Sequence, residues 1–159
     1  METYRLWIDD AACWGCQACE VACKQENDIP VGVKIIRVGE IEPRDLDEKD
    51  RYTFTVSLCR QCADAPCADV CPVEAITRRA DGVVILDSEE CTGCRACMDA
   101  CPYDAIAFDE APGVAMKCNL CVHRIDKGLV PACADNICPA HCIYFGTEEE
   151  IRRATASDG

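Results

Sequence analysis

The stretch Cys91–Pro102 reads CTGCRACMDACP. Three cysteines stand two residues apart, a fourth follows after three more, and proline comes next. Three thiols spaced this closely wrap a tight loop around one face of a cubane [4Fe–4S] core, while the fourth starts a helix leading away and ligates the other cluster of a pair. Proline suits the first helical position, where no amide donor is needed. Structural zinc takes two separated C-x2-C pairs, so a third cysteine two residues on has no tetrahedral role.

Working outward, Cys13, Cys16, Cys19 and Cys23 repeat this spacing. Cys59, Cys62, Cys67 and Cys71-Pro72 form a second run, C-x2-C-x4-C-x3-C-P, and Cys118, Cys121, Cys133 and Cys138-Pro139 a fourth, with Cys142 left over. The repetition reaches beyond the cysteines. Ile8-Asp9 leads into the first run as Leu86-Asp87 leads into the third, and Gly15 and Ala18 are matched by Gly93 and Ala96. Likewise Cys71-Pro72 with Ala75-Ile76 returns as Cys101-Pro102 with Ala105-Ile106. The unit is a short strand, a cluster loop, a small helix and a returning strand. It cannot bury its own face, so copies should pair across a pseudo-twofold axis. The expected fold class is α+β: tandem bacterial-ferredoxin-like modules, with short β-hairpins and small helices around [4Fe–4S] clusters.

Seventeen cysteines among 159 residues indicate an architecture defined by cysteine. Without them the apolar content is ordinary and aromatics are few, so a group bound by the cysteines must help hold the fold. Disulfides need an oxidising compartment. The start, METYRLWIDDAACWGC, shows no basic segment followed by an apolar one, and the cysteine count is odd. No apolar run approaches a membrane span, and a cytoplasmic location is expected. A net charge of −13 makes nucleic-acid binding implausible. The sequence offers no nucleophile with a base, no G-x-G-x-x-G and no P-loop, so no catalytic residue is assigned.

Between the runs, AITRRADGVVILD reads as a hairpin turning in two residues at Asp81-Gly82, and AIAFDEAPGVAMK as another near Pro112-Gly113. Val33–Val38 and Tyr52–Leu58 read as two strands joined by a charged, solvated loop. Thr147 and Glu150 form a capping box for a short helix through Arg153, with ATASDG beyond it as a frayed tail.

Taken in order, CWGCQACEVACKQEN, CRQCADAPCADVCP, CTGCRACMDACPYDAI and KCNLCVHRIDKGLVPAC resemble the four-cluster ferredoxin-type subunits of molybdenum and tungsten oxidoreductases. These include the iron–sulfur subunits of the dimethyl sulfoxide reductase family and of formate dehydrogenase and formate hydrogenlyase complexes. In its brevity the protein also resembles the small cluster subunits of soluble tungsten enzymes such as class II benzoyl-CoA reductase or aldehyde oxidoreductases. The resemblance implies a single polyferredoxin domain over 1–159. A central module takes 59–109, an outer one is formed by 1–30 with 114–146, a hairpin is inserted at 31–58, and a helix and tail occupy 147–159. It also implies four ligand sets: Cys59, Cys62, Cys67 and Cys101; Cys91, Cys94, Cys97 and Cys71; Cys13, Cys16, Cys19 and Cys138 (or Cys142); and Cys23, Cys118, Cys121 and Cys133. The implied partners are a large Mo/W-pterin catalytic subunit and a further redox subunit or carrier.

The fourth run departs from the pattern. Four residues separate Cys133 from Cys138 where three are usual, and Cys142 has no counterpart in the other runs. Cys138 ligates and Cys142 is a buried small hydrophobe; or Cys142 ligates in its place; or this site holds zinc through Cys118, Cys121 and Cys133 with Cys138, Cys142 or His141. The cofactors expected are thus four clusters, or three and a zinc. His123, beside Cys121, reads as a surface residue rather than a donor to cluster sulfur. Trp14, inside the first loop, is expected to shield its cluster from water.

Three function classes compete: an electron-transfer subunit without catalysis of its own, a free polyferredoxin docking on basic partners, and a structural zinc protein. Cluster charge in an acidic protein disfavours an added electron, so midpoints on the order of −300 to −500 mV are expected for most clusters.

Overall fold

A computed structural model of the protein describes residues 3–41 and 53–157. Most of the expected charged loop, Tyr52, and the final two residues lie outside them. Among the described residues, eight strands pair into four antiparallel two-stranded sheets. β1 (Arg5–Ile8) pairs with β8 (Ile143–Gly146), Arg5 opposite Gly146, so the first and last strands close on one another. β2 (Arg37–Ile41) pairs with β3 (Thr53–Ser57), β4 (Ile76–Arg78) with β5 (Val84–Leu86), and β6 (Ile106–Asp109) with β7 (Val114–Lys117). Helices α1 (Ala18–Glu26), α2 (Pro66–Asp69), α3 (Ala96–Ala100) and α4 (Val122–Ile125) follow the cluster loops, and α5 (Glu148–Ser157) comes last.

Both hairpins after the central runs form. In the first, strand pairing stops at Arg78 opposite Val84, and the turn takes in Arg79–Val83 rather than two residues. The Arg79 amide donates to the Val83 carbonyl at 2.8 Å, and Asp81 Oδ1 accepts the Val83 amide at 3.2 Å around Gly82 at φ +83°. The strand expected at Val33–Val38 begins only at Arg37. Val33, Ile35 and Ile36 are buried, but they turn inward to fill the core instead of pairing. The capping box is present: the Thr147 amide donates to Glu150 Oε2 at 2.8 Å and the Glu150 amide to Thr147 Oγ1 at 3.3 Å. The helix runs on to Ser157 where a tail was expected after Arg153. The i,i+4 pairs Glu148–Arg152 and Glu149–Arg153 support it.

Two groups of buried side chains form the core, and sulfur belongs to both. Leu6, Ile29, Ile36, Leu58, Val83 and Leu120 pack with Cys19, Cys23, Cys118 and Cys133. Ile76, Val84, Ile106 and Ala115 pack with Cys67 and Cys97. Ion pairs tie distant segments over this core. Arg124 joins Glu26 at 3.1 Å and Asp135 at 2.6 Å, and Arg79 holds both oxygens of Asp126.

The loop of the third run lies hard against the β6–β7 turn. A Cβ on Gly93, which sits at φ +71°, would come 2.1 Å from the Gly113 carbonyl oxygen. Gly128 has the same backbone sign, φ +76°, with nothing nearby. Gly128→Ala should therefore cost only left-handed strain, about 1 kcal/mol. Gly93→Ala must displace backbone as well, and should lower both the thermal midpoint and the iron retained per molecule well beyond Gly128→Ala.

Candidate metal centres

Each cluster loop bends through residues of positive φ. In the first run Gly15 (+67°) and Gln17 (+60°) alternate with ordinary residues, and in the third Gly93 (+71°) and Arg95 (+63°) repeat the pattern. Ala65 (+32°) and Cys121 (+48°) precede α2 and α4 in the same way. In the first and third runs the alternation turns successive amides to one side, making a concavity suited to negative charge. The amides of Gly15, Ala105 and Leu120 donate to the sulfurs of Cys13, Cys101 and Cys118, each at 3.4 Å.

Thiols from different runs come together. Cys23 of the first run joins Cys118, Cys121 and Cys133 around a cavity of about 180 Å³. Cys101 of the third run lines a second cavity with Cys59, Cys62 and Cys67. Cys97 feels the charges of Cys91 and Cys94, and the helices of runs two and three, α2 and α3, pack on one another. Cys19 neighbours Cys13 and Cys138. Cys142 Sγ lies 3.5 Å from Cys138 Sγ and also touches Cys13. The zinc alternative needed Cys138, Cys142 or His141 beside Cys118, Cys121 and Cys133. The structure places Cys23 in a cavity with those three thiols, and His141 is exposed.

The electrostatics suit metal-bound sulfur. Burial pushes the Cys19 and Cys97 thiols up to about 11, and those of Cys23 and Cys118 to about 12. Burial, then the neighbouring thiols of Cys118, Cys23, Cys121 and Cys19, raises Cys133 as well. Three such thiols, Cys23, Cys118 and Cys133, share one cavity and cannot all ionise there unless positive charge replaces their protons, and iron supplies it. Cys71 behaves differently. Burial acts against its ionisation, but bonds from the amides of Val73, Ile76, Ala75 and Glu74 outweigh burial and hold it below the ordinary thiol value.

Several polar residues around the thiols escaped the sequence reading. Asn27 Nδ2 lies 3.9 Å from Cys23 Sγ and 3.7 Å from Cys121 Sγ, bridging two thiols of the 180 Å³ cavity. Lys117 is buried on the wall of the second cavity; it donates to the carbonyls of Val84 and of Cys118, the latter at 2.8 Å, and its charge opposes the rise at Cys67. Gln61, 1 % exposed, donates to the Cys118 carbonyl and accepts the Val84 amide, both at 2.8 Å. Gln61 inside a C-x2-C pair and Lys117 just before Cys118 were visible as polar residues within the motifs, but their burial was not. His123 is half-exposed and pairs with Glu26 at 2.7 Å, a surface role. Trp14 is 66 % exposed, so most of its ring faces water and the shielding expected of it is not seen in the isolated protein.

Comparison with known proteins supports the same reading. A 4Fe-4S dicluster domain matches residues 51–148 and a 4Fe-4S binding domain residues 10–28. This protein belongs to the 4Fe–4S dicluster family of iron–sulfur subunits. It is 36 % identical to the B component of the anaerobic dimethyl sulfoxide reductase of Escherichia coli, with 94 % of this sequence and 76 % of that protein covered. It is 40 % identical to the B component of the tetrathionate reductase of Salmonella typhimurium, covering 84 % of this sequence and 54 % of that protein. It is 39 % identical to a protein named as a dimethyl sulfoxide reductase iron-sulfur subunit in Halobacterium salinarum, covering 92 % and 66 %. The alignments thus span about half to three quarters of the length of these relatives. Its cofactors are [4Fe–4S] clusters, and the crowded thiols, inward amides and open cavities fit them.

Amide hydrogen bonds to cluster sulfur favour the reduced state by stabilising added negative charge. Asn27→Leu removes both contacts to sulfur at similar volume, together with a 3.0 Å bond from Nδ2 to the Cys23 carbonyl. The midpoint of one cluster should fall by about 40 mV, the equivalent of about 1 kcal/mol in a one-electron couple. Redox titration followed by paramagnetic resonance, with iron content unchanged, checks this.

Proposed function

We propose that this protein is the electron-relay subunit of a molybdenum- or tungsten-pterin oxidoreductase, without catalysis of its own. When bound, [4Fe–4S] clusters supply reversible one-electron transfer at potentials set by their surroundings. The observation that carries the reading is the interlacing of the runs. Cys23 crosses to the fourth run and Cys101 to the second, so neighbouring centres share a short stretch of backbone. We assign the ligand sets as Cys59, Cys62, Cys67 and Cys101; Cys91, Cys94, Cys97 and Cys71; Cys13, Cys16, Cys19 and Cys138; and Cys23, Cys118, Cys121 and Cys133. This arrangement makes two tandem modules. The central one spans 59–109, and the outer one joins 1–30 to 114–146, consistent with the pairing of β1 with β8.

The residues have distinct parts in the relay. Loop amides and Asn27 stabilise charge on sulfur, Lys117 offsets it between the second cavity and Cys118, and Leu120 and Val83, wholly buried, exclude water. Cys16 and Cys94 are exposed, which leaves two loops accessible for exchange with the catalytic subunit and with a further redox partner. The names of relatives support the assembly, since they are components of a dimethyl sulfoxide or a tetrathionate reductase. Among the described residues, no helix is long and apolar enough to cross a membrane.

Protein prepared without oxygen should be brown and contain about sixteen irons per molecule without stoichiometric zinc. In native extracts it should run with a much larger pterin-containing protein. About twelve irons and one zinc would instead establish a mixed site. Migration alone, with full iron, would make it a free carrier, the reading its charge of −13 favours.

A further inference from the structure

Cys142 is the cysteine that the four ligand sets leave over, yet its position occurs twice more in the sequence. After Cys71 comes Pro72-Val73-Glu74-Ala75-Ile76, after Cys101 comes Pro102-Tyr103-Asp104-Ala105-Ile106, and after Cys138 comes Pro139-Ala140-His141-Cys142-Ile143. The backbone repeats with the sequence. Glu74, Asp104 and His141 all sit at positive φ, 54°, 48° and 50°. Their amides donate to the carbonyls of Cys71, Cys101 and Cys138 at 3.3, 3.3 and 3.1 Å. Ala75, Ala105 and Cys142 are each 2 % exposed. One turn is built three times, and the third copy carries a thiol where the others carry a methyl group.

In the first two copies that alanine lies against the ligand sulfur. The Ala105 amide donates to Cys101 Sγ at 3.4 Å, and the Ala75 amide bonds to Cys71. In the third copy the added sulfur stands 3.5 Å from Cys138 Sγ and also touches Cys13. The corners of a cubane hold their thiolates beyond van der Waals contact, so two sulfurs this close are not both ligands of one cluster. The shared turn puts Cys138, not Cys142, in the place of Cys71 and Cys101.

We propose that Cys142 is a fifth, non-ligating sulfur at the centre formed by Cys13, Cys16, Cys19 and Cys138. Its S–H donates a hydrogen bond to a ligand sulfur and raises that centre's reduction potential above the value an alanine would give. The inference rests on the assignment of Cys138 as ligand. A thiol is a weak donor, but burial removes competing water and strengthens what it offers. The positive end of the S–H dipole faces a sulfur that gains negative charge on reduction, so the contact favours the reduced state. It makes Cys142 a positioning and tuning residue and gives this centre a contact that the two alanine turns lack.

The test uses the full-length protein, purified anaerobically with its clusters and titrated with dithionite under paramagnetic resonance. Cys138→Ala should lose about four irons, and the signal that disappears identifies the centre. Cys142→Ala, which restores the residue of the other two turns, should keep all its iron. In it the reduction equilibrium of that one signal should fall about fivefold, about 40 mV at 59 mV per tenfold change. Cys142→Ser, which keeps a donor, should retain most of the potential. An unmoved or raised midpoint in Cys142→Ala, with Cys138→Ala losing iron, overturns the hydrogen bond and leaves the ligand assignment standing. Iron loss in Cys142→Ala with iron retained in Cys138→Ala overturns the ligand assignment, and the hydrogen bond with it.

Discussion

Buried sulfur that must carry negative charge is the constraint on which this structure depends. Cys19, Cys23, Cys118 and Cys133 take core positions beside Leu6, Ile36 and Leu120, where a larger protein would place aliphatic side chains. A thiol packs there much as a small hydrophobe does, but a thiolate does not, and burial drives these thiols upward. The protein meets part of that cost with amides aimed at sulfur and with the buried cation of Lys117. The remainder falls to iron. Metal binding and folding are then one equilibrium, and a sequence with few aromatics and short, paired strands can still be well ordered.

The same constraint explains why the runs interlace. A loop that supplies three thiols leaves one corner of a cubane open, and a cysteine from elsewhere must fill it. Cys101 beside Cys59, and Cys23 beside Cys118, place the filling residue on or just after the helix that leaves a different loop. On the proposed ligand sets, each of these small helices spans from one centre toward the next, through the nine residues of α1 or the five of α3. Closure of β1 on β8 matches the same pattern at the scale of the whole fold, since the proposed ligand sets join the first run to the fourth. Arg124, held by Glu26 and Asp135, pins that junction from outside.

The cysteine spacings, the glycine in each regular loop, the two hairpins and the Thr147–Glu150 cap were all legible, because each depends on residues a few positions apart. The family was legible for the same reason, since its motifs are local. What failed was non-local. Val33, Ile35 and Ile36 look like a strand in isolation, but the core claims them before they can pair. Trp14 sits inside a cluster loop, yet most of its ring stays in water. Asn27 and Gln61 look like ordinary surface residues until their side chains meet sulfur or the Cys118 carbonyl across 94 and 57 residues of sequence.

The irregular fourth run marks the boundary most clearly. The sequence alone determined that iron–sulfur clusters are bound, because thiol spacing along a tight loop is a property of the backbone itself. The family resemblance groups Cys23 with Cys118, Cys121 and Cys133; only the tertiary structure set these four around one cavity and laid Cys142 against Cys138 in a turn built twice before. Which distant residues share a cavity is fixed by how the elements pack, and no spacing along the sequence records that.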